Sequence, residues 1–203
     1  MIDKKVEIQK CGKKLFSSKG YKDTNVSEIT KMAGIATGTF YLYYTSKEKL
    51  FMDIFLEENV KLKRAILKVV DPNEAPFKVI QELMQRNMEG ITSNPILREW
   101  YNKDEFNKIE KKYREENGLE HVDFLYSSFI EIVKKWQVEG KLRDDIESEM
   151  IMALFTVIII IDTHKEEIGF QYFPKIQDYL MGFIMNGLAP RANQATECGE
   201  SKG

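Results

Sequence analysis

Residues 36–44 read Ala-Thr-Gly-Thr-Phe-Tyr-Leu-Tyr-Tyr, so four small residues are followed by a run of aromatic and apolar ones. Small side chains at the head of a helix let its end sit deep against base edges, where a threonine hydroxyl or methyl meets the groups a base pair displays in the major groove. Phe40 and Tyr44, four apart, share a face that can anchor such a helix from behind. Other chemistry is poorly supplied. His121 and His164 are the only histidines and Cys11 and Cys198 the only cysteines, none at metal-ligand spacing. A Gly-rich phosphate loop and a nucleophile motif are both absent, so no catalytic activity, cofactor or metal is expected.

Local signals supply the elements that would position this segment. Asn25 and Glu28 form a capping box that opens a helix at Val26. Within it Val26, Ile29, Met32 and Ala33 repeat at helical spacing as one apolar face, and Gly34 stands where the chain must leave the helix. Ile35 can plug the core beneath the turn, and a second helix of about two turns is expected from about residue 36 to residue 43. Thr45 and Glu48 make a second capping box, with a long helix opening at Ser46. Two short helices around a Gly-containing turn are how a helix-turn-helix DNA reader looks in sequence.

These residues resemble the TetR family of one-component transcriptional regulators. The family motif runs through Leu15-Phe16, Gly20-Tyr21, Thr24, Ile29, Ala33-Gly34, Gly38-Thr39, Tyr41, Ser46-Lys47-Glu48 and Leu50 at the family's intervals, within the first quarter of the chain. There are departures. Cys11, Gly12 and Thr30 replace usual alanines, Ala36 a usual serine and Tyr44 a usual phenylalanine. Gly12 inside a helix should cost on the order of 1 kcal/mol relative to alanine, and Ala36 forfeits a side-chain cap on the reading helix. The resemblance implies an all-α fold with an N-terminal three-helix helix-turn-helix domain at 1–48. A C-terminal helical domain for effector binding and dimerisation follows at 49–189, and a polar tail at 190–203 is expected to be disordered. It implies a homodimeric regulator, most simply a repressor, that binds a palindromic double-stranded DNA operator and is released by a small molecule. Base contacts are expected from Thr37, Gly38, Thr39 and Tyr43, and phosphate contacts from Thr24, Tyr41, Lys47 and Lys22.

Charge agrees with that reading once its distribution is considered. The whole chain of 203 residues carries −2, which by itself argues against a nucleic-acid binder. Residues 1–50, however, hold ten Lys against five Asp or Glu, a net of +5, whereas 51–203 hold 20 basic and 27 acidic residues, a net of −7. Excess and motif coincide, and phosphate steering follows. An apolar content of 43% is enough for a real core. The longest apolar run, IMALFTVIIII at 151–161, is too short to cross a bilayer, which takes about 20 residues. With no leader signal at the start, the cytoplasm is the expected compartment.

Beyond Ser46 helical patterns continue, punctuated by Pro72, Pro76, Pro95, Pro174 and Pro190. The long helix is expected to reach about Val70 with Leu50, Ile54, Val60, Leu62 and Leu67 inward, and the isoleucine run to extend from about 147 to about 167. A helix apolar nearly all round must be buried on more than one side. A second subunit would supply one side, so Ile158, Ile161, Ile176, Tyr179 and Phe183 are expected at the dimer interface. Among the aromatics, Trp100, Tyr101, Phe106, Tyr126, Phe129 and Phe155 are candidates to line the effector cavity. Three partners are open to Asp162 at the end of the run: a cationic effector, a lysine across the dimer, or water. The rival function is a helical protein-interaction adaptor that keeps the fold without operator binding, and the +5 head is what distinguishes the two.

Overall fold

The computed structural model describes residues 3–117, 123–173 and 175–190, without the side chains of 116, 117 and 123–128. The Tyr126 side chain and the tail beyond 190 therefore lie outside the described residues. No strand occurs among those described, and the architecture is all-helical. In chain order the helices are α1 (Lys4–Lys19), α2 (Val26–Met32), α3 (Thr37–Phe40), α4 (Lys47–Val69), α5 (Pro76–Ser93), α6 (Lys103–Asn117), α7 (Asp123–Val138), α8 (Ser148–Ile160), α9 (Lys165–Ile168) and α10 (Lys175–Leu188). They fall into two compact units, one of Met1–Asp71 with Lys78–Leu125, the other of Pro72–Phe77 with Tyr126–Gly203.

The first unit is built on a core of Ile8, Leu15, Phe16, Ile29, Phe40 and Leu50 from α1 to α4, continued by Phe55, Phe106 and Tyr113 where α6 packs on α4. The Gly12 cost is offset here: a Cβ at that position would lie 2.9 Å from Leu50 Cδ2, so the glycine lets α1 close on α4. The face of α2 is not the one the spacing predicts. Met32 is exposed and Thr30 buried: 100° steps put the two on opposite sides of the arc of Ile29, Ala33 and Val26, Thr30 nearer its Val26 edge, and the covered face extends to the Thr30 side. Thr30 tolerates the position because its hydroxyl donates to Ser27 O at 3.0 Å.

Two further boundaries move for local reasons. The cap of α4 is Ser46 rather than Thr45: the buried Ser46 Oγ accepts from Lys49 N at 3.1 Å. In the second unit the isoleucine helix stops at Ile160 instead of running to 167. Thr163 Oγ1 donates to Ile160 O at 2.8 Å and His164 Nδ1 lies 3.2 Å from the same carbonyl, so side chains occupy a helical acceptor and the chain tightens into a 3₁₀ turn at Ile161–His164.

That second unit buries Val133, Trp136, Leu142, Ile151, Phe155, Ile158 and Met181. Trp136 donates to Pro72 O at 3.0 Å, and Gln137 Nε2 donates to Arg143 O and Ile146 O, holding the turn between α7 and α8. The Asp162 partner is none of the three expected. It is buried and paired with Lys165 of its own next turn at 2.7 Å, with Gln177 Nε2 at 3.3 Å.

Tyr44 carries a prediction. Its ring packs 5.7 Å from Phe40, but its hydroxyl is the one buried side-chain oxygen or nitrogen among the described residues without a hydrogen-bond partner. Burial raises its pKa, so the group stays a neutral, unsatisfied phenol. Tyr44→Phe should therefore stabilise the protein by about 1 kcal/mol, read from denaturant midpoints at unchanged slope.

Candidate nucleic-acid interface

The reading segment stands on a fixed scaffold. Asn25 Oδ1 accepts from Glu28 N at 2.9 Å and Glu28 Oε2 accepts from Asn25 N at 3.5 Å, closing the capping box that opens α2. Lys19 holds Glu28 from α1 at 2.6 Å, and that bond, with the cap, keeps the Glu28 carboxyl below its usual range. Gly34, at φ +66, turns the chain out of α2 in a left-handed conformation that other residues resist. Ile35 N then bonds Thr30 O at 3.0 Å.

α3 is shorter than expected, covering only Thr37–Phe40. Ala36 makes no side-chain cap, and residues 41–43 continue as turns, with Leu42 N on Thr39 O at 3.3 Å and Tyr43 N on Phe40 O at 2.9 Å. These i to i+3 bonds wind the chain more tightly than an α-helix. Phe40 and Tyr44 are buried behind it, as their spacing requires. Thr37, Gly38, Tyr41 and Tyr43 are exposed, and Thr39 is half-buried. Leu42, 81% exposed between the two tyrosines, belongs to the same edge. The spacing passed over it because an apolar side chain there reads as core.

The proposed phosphate contacts separate into two groups. Lys22 and Tyr41 are exposed. Thr24 and Lys47 face inward. The buried Thr24 hydroxyl donates to Gly20 O at 2.8 Å, so that side chain braces the loop and is not offered to DNA. Lys47 Nζ donates to Tyr21 O at 3.0 Å and Thr24 O at 2.8 Å and lies 4.0 Å from the centre of the Tyr21 ring. Burial lowers the Lys47 pKa, Glu48, Glu105 and Asp23 opposing it. Loop 20–25 and the start of α4 are thus one clamped piece.

The same unit ties the head to later helices. Glu99 Oε1 accepts from Tyr21 N at 3.2 Å, Lys112 meets Glu48 at 2.9 Å, and Tyr113 and Lys49 both reach Asp53. Burial would raise the Glu48 pKa, but hydrogen bonds headed by that from Lys112 hold it low. Of the aromatic candidates in this unit, Phe106 is buried between Phe55, at 4.8 Å, and Trp100, at 5.2 Å, with Trp100 and Tyr101 partly buried. An open cleft of about 380 Å³ between the end of α1 and Pro95, Arg98, Glu99 and Asn102 includes none of them. In the other unit Phe155 is buried and Phe129 partly so.

The expected dimer contacts divide as well. Tyr179 and Phe183 are exposed and stack at 6.2 Å on α10, with Ile161 and Ile176 half-buried. Ile158 is fully buried in the single chain, so its side chain is not exposed to a second subunit. The large apolar residues exposed on that helix are Met150, Val157 and Ile160.

Residues 10–54 match the family model for bacterial regulatory proteins of the tetR family. Along nearly its whole length the chain is 22% identical to the uncharacterized HTH-type transcriptional regulator YdgC of Bacillus subtilis, over 199 residues covering 97% of this chain and 89% of the relative. It is 27% identical to a second B. subtilis regulator of that type, YuxN, over 136 residues, and there it spans only 47% of the relative's length against 64% of its own. Among solved structures, Thermus thermophilus FadR, a TetR-family transcriptional repressor in complex with lauroyl-CoA, superposes with a TM-score of 0.65 at 20% identity, over 95% of this chain and 98% of that one.

Proposed function

The chain belongs to the TetR family of bacterial transcriptional regulators, and from that premise we propose that it is a homodimeric repressor released from a palindromic operator by a small-molecule effector. The observation that carries this reading is the exposed edge formed by Thr37, Gly38, Tyr41, Leu42 and Tyr43, backed by buried Phe40 and Tyr44 on the basic part of the chain. Residues 1–48 serve as the reading head and 49–189 as the effector and dimerisation region. Thr37, Gly38, Thr39 and Tyr43 meet bases, Lys22 and Tyr41 meet phosphates, and Thr24 and Lys47 hold the loop that presents them.

Dimerisation is supported by apolar residues left exposed on α8 and α10, among them Val157, Ile160, Tyr179 and Phe183. An isologous pair of heads suits an inverted repeat. Response to an effector is supported by the bonds from Glu99, Lys112 and Tyr113 to the head and to α4, since a shift of those elements must move Tyr21 or α4. That a FadR of this fold holds lauroyl-CoA supports an effector with an apolar body. No helix among the described residues is long and apolar enough to cross a membrane.

The test is to sequence genomic fragments retained by the purified protein. Fragments sharing an inverted repeat support the reading, and retention no better than that of an acidic dimer of similar size favours the adaptor. With an operator in hand, Thr39→Ala should change the ranking of operator variants by roughly 1 kcal/mol at one or two base pairs, within the range of a mismatched pair. Competition against a set of single-base variants measures this, and equal weakening of all of them would exclude direct readout by Thr39.

A further inference from the structure

Lys63 on α4 and Asn87 on α5 are the polar interruptions of two apolar stripes. One turn to either side of Lys63 stand Val60, Ile66 and Leu67, with Asn59 as the fourth neighbour, and around Asn87 at the same spacing stand Leu83, Met84 and Ile91. The two side chains meet, Lys63 Nζ donating to Asn87 Oδ1. Asn87 is only 6% exposed. Just beyond it Gly90 lies so close to α4 that a Cβ there would collide with Leu62, so no larger side chain separates the two helices at that level.

The ammonium has no counter-charge among the described residues. Elsewhere on the same helix Lys49 pairs with Asp53 and Lys61 with Glu57 and Glu58, whereas the single partner of Lys63 among the described residues is a neutral amide. Burial alone pushes the Lys63 pKa down to about 8. A lysine carries three donors and this one uses one, while the Asn87 amide has two donors of its own. An anion placed beside the pair would receive hydrogen bonds from both residues and neutralise a half-buried cation that has no charged partner among the described residues.

We propose that Lys63 and Asn87 are the head-group end of the effector site and take an organic anion, a carboxylate or phosphate ester, whose aliphatic body lies along the neighbouring apolar side chains. This rests on the effector-responsive reading above and specifies the ligand's charge.

Calorimetric titration of the full chain with dodecanoate and dodecyl phosphate, against dodecanol and dodecyltrimethylammonium, all below their micelle concentrations, tests it. The wild type should bind at least one of the two anions, at least about tenfold more tightly than dodecanol, and should not bind the ammonium. The tighter anion identifies the head group. Lys63→Met, which keeps the length of the side chain and removes an unpaired charge, should fold, bind operator as the wild type does, and lose that preference for anions. Lys63→Gln serves the same purpose should the methionine variant fold poorly. Anion binding unchanged in these variants, or wild-type binding of dodecanol as tight as of both anions, or of neither anion, would overturn the site. Operator binding is measured separately without ligand. A wild type that binds anions but no DNA would refute the regulator reading and leave the anion site standing, and the reverse would refute only the site.

Discussion

Phe183→Glu is expected to yield a folded monomer that has lost the preference for a full palindrome. Phe183 is 68% exposed on the single chain, so a carboxylate there costs the fold little. In the proposed dimer the same carboxylate would be desolvated against Tyr179 and the apolar residues of α8, which costs several kcal/mol when no partner is supplied. Each monomer keeps its head and its phosphate-directed charge, so weak non-specific binding persists. What disappears is the linked second contact, and affinity for the full operator should fall by about a hundredfold or more, toward that of a half-site. Sedimentation reports the mass, and titration of full site against half-site reports the preference. A variant that remains dimeric would place the interface elsewhere. Ile158→Glu makes the contrasting control. That side chain is fully buried in the single chain, so the charge should unfold it instead of dividing a dimer.

Phe183 on α10 and Ile158 on α8 show what could be read from sequence and what could not. Spacing states which residues share a helical face, and it does so reliably where the partners are local. Asn25 with Glu28 and Phe40 with Tyr44 lie three and four residues apart, and each pair stands in the structure as its spacing requires. Spacing does not state which arc of a helix the rest of the molecule will cover. Thr30 displaced Met32 on α2, and on α8 the choice between Ile158 and its neighbours Val157 and Ile160 was made by α10 and the rest of that unit. Helix ends followed the same division. The start of α2 was fixed by a cap, whereas the end of α8 depended on Thr163 and His164 turning back to the Ile160 carbonyl, which no periodicity reveals. Lys63 and Asn87, 24 positions apart, became a pair only through the packing of α4 on α5.

Lys47 is the sharpest case, because its type and its place at the start of a helix near the reading head suggest a phosphate contact, while its ammonium is spent on the protein. Lys47→Met should remove two charge-assisted hydrogen bonds, to Tyr21 O and Thr24 O, and the contact with the Tyr21 ring. Thr24 N already bonds Tyr21 O at 3.3 Å, so that carbonyl keeps one partner. The loss is accordingly about 2 kcal/mol, which in a chain of this size lowers Tm by about 5 °C. Loop 20–25 carries Lys22 and leads into α2, so loosening it should weaken every operator by a similar factor without changing their order. Thermal unfolding and binding over a range of salt concentrations separate the two roles. A clamp lowers Tm and leaves the slope of log affinity against log salt nearly unchanged. A phosphate contact leaves Tm unchanged and reduces that slope by about 1. The geometry favours the clamp, since an ammonium already held by two carbonyls and an aromatic face would have to give up those partners to reach a phosphate.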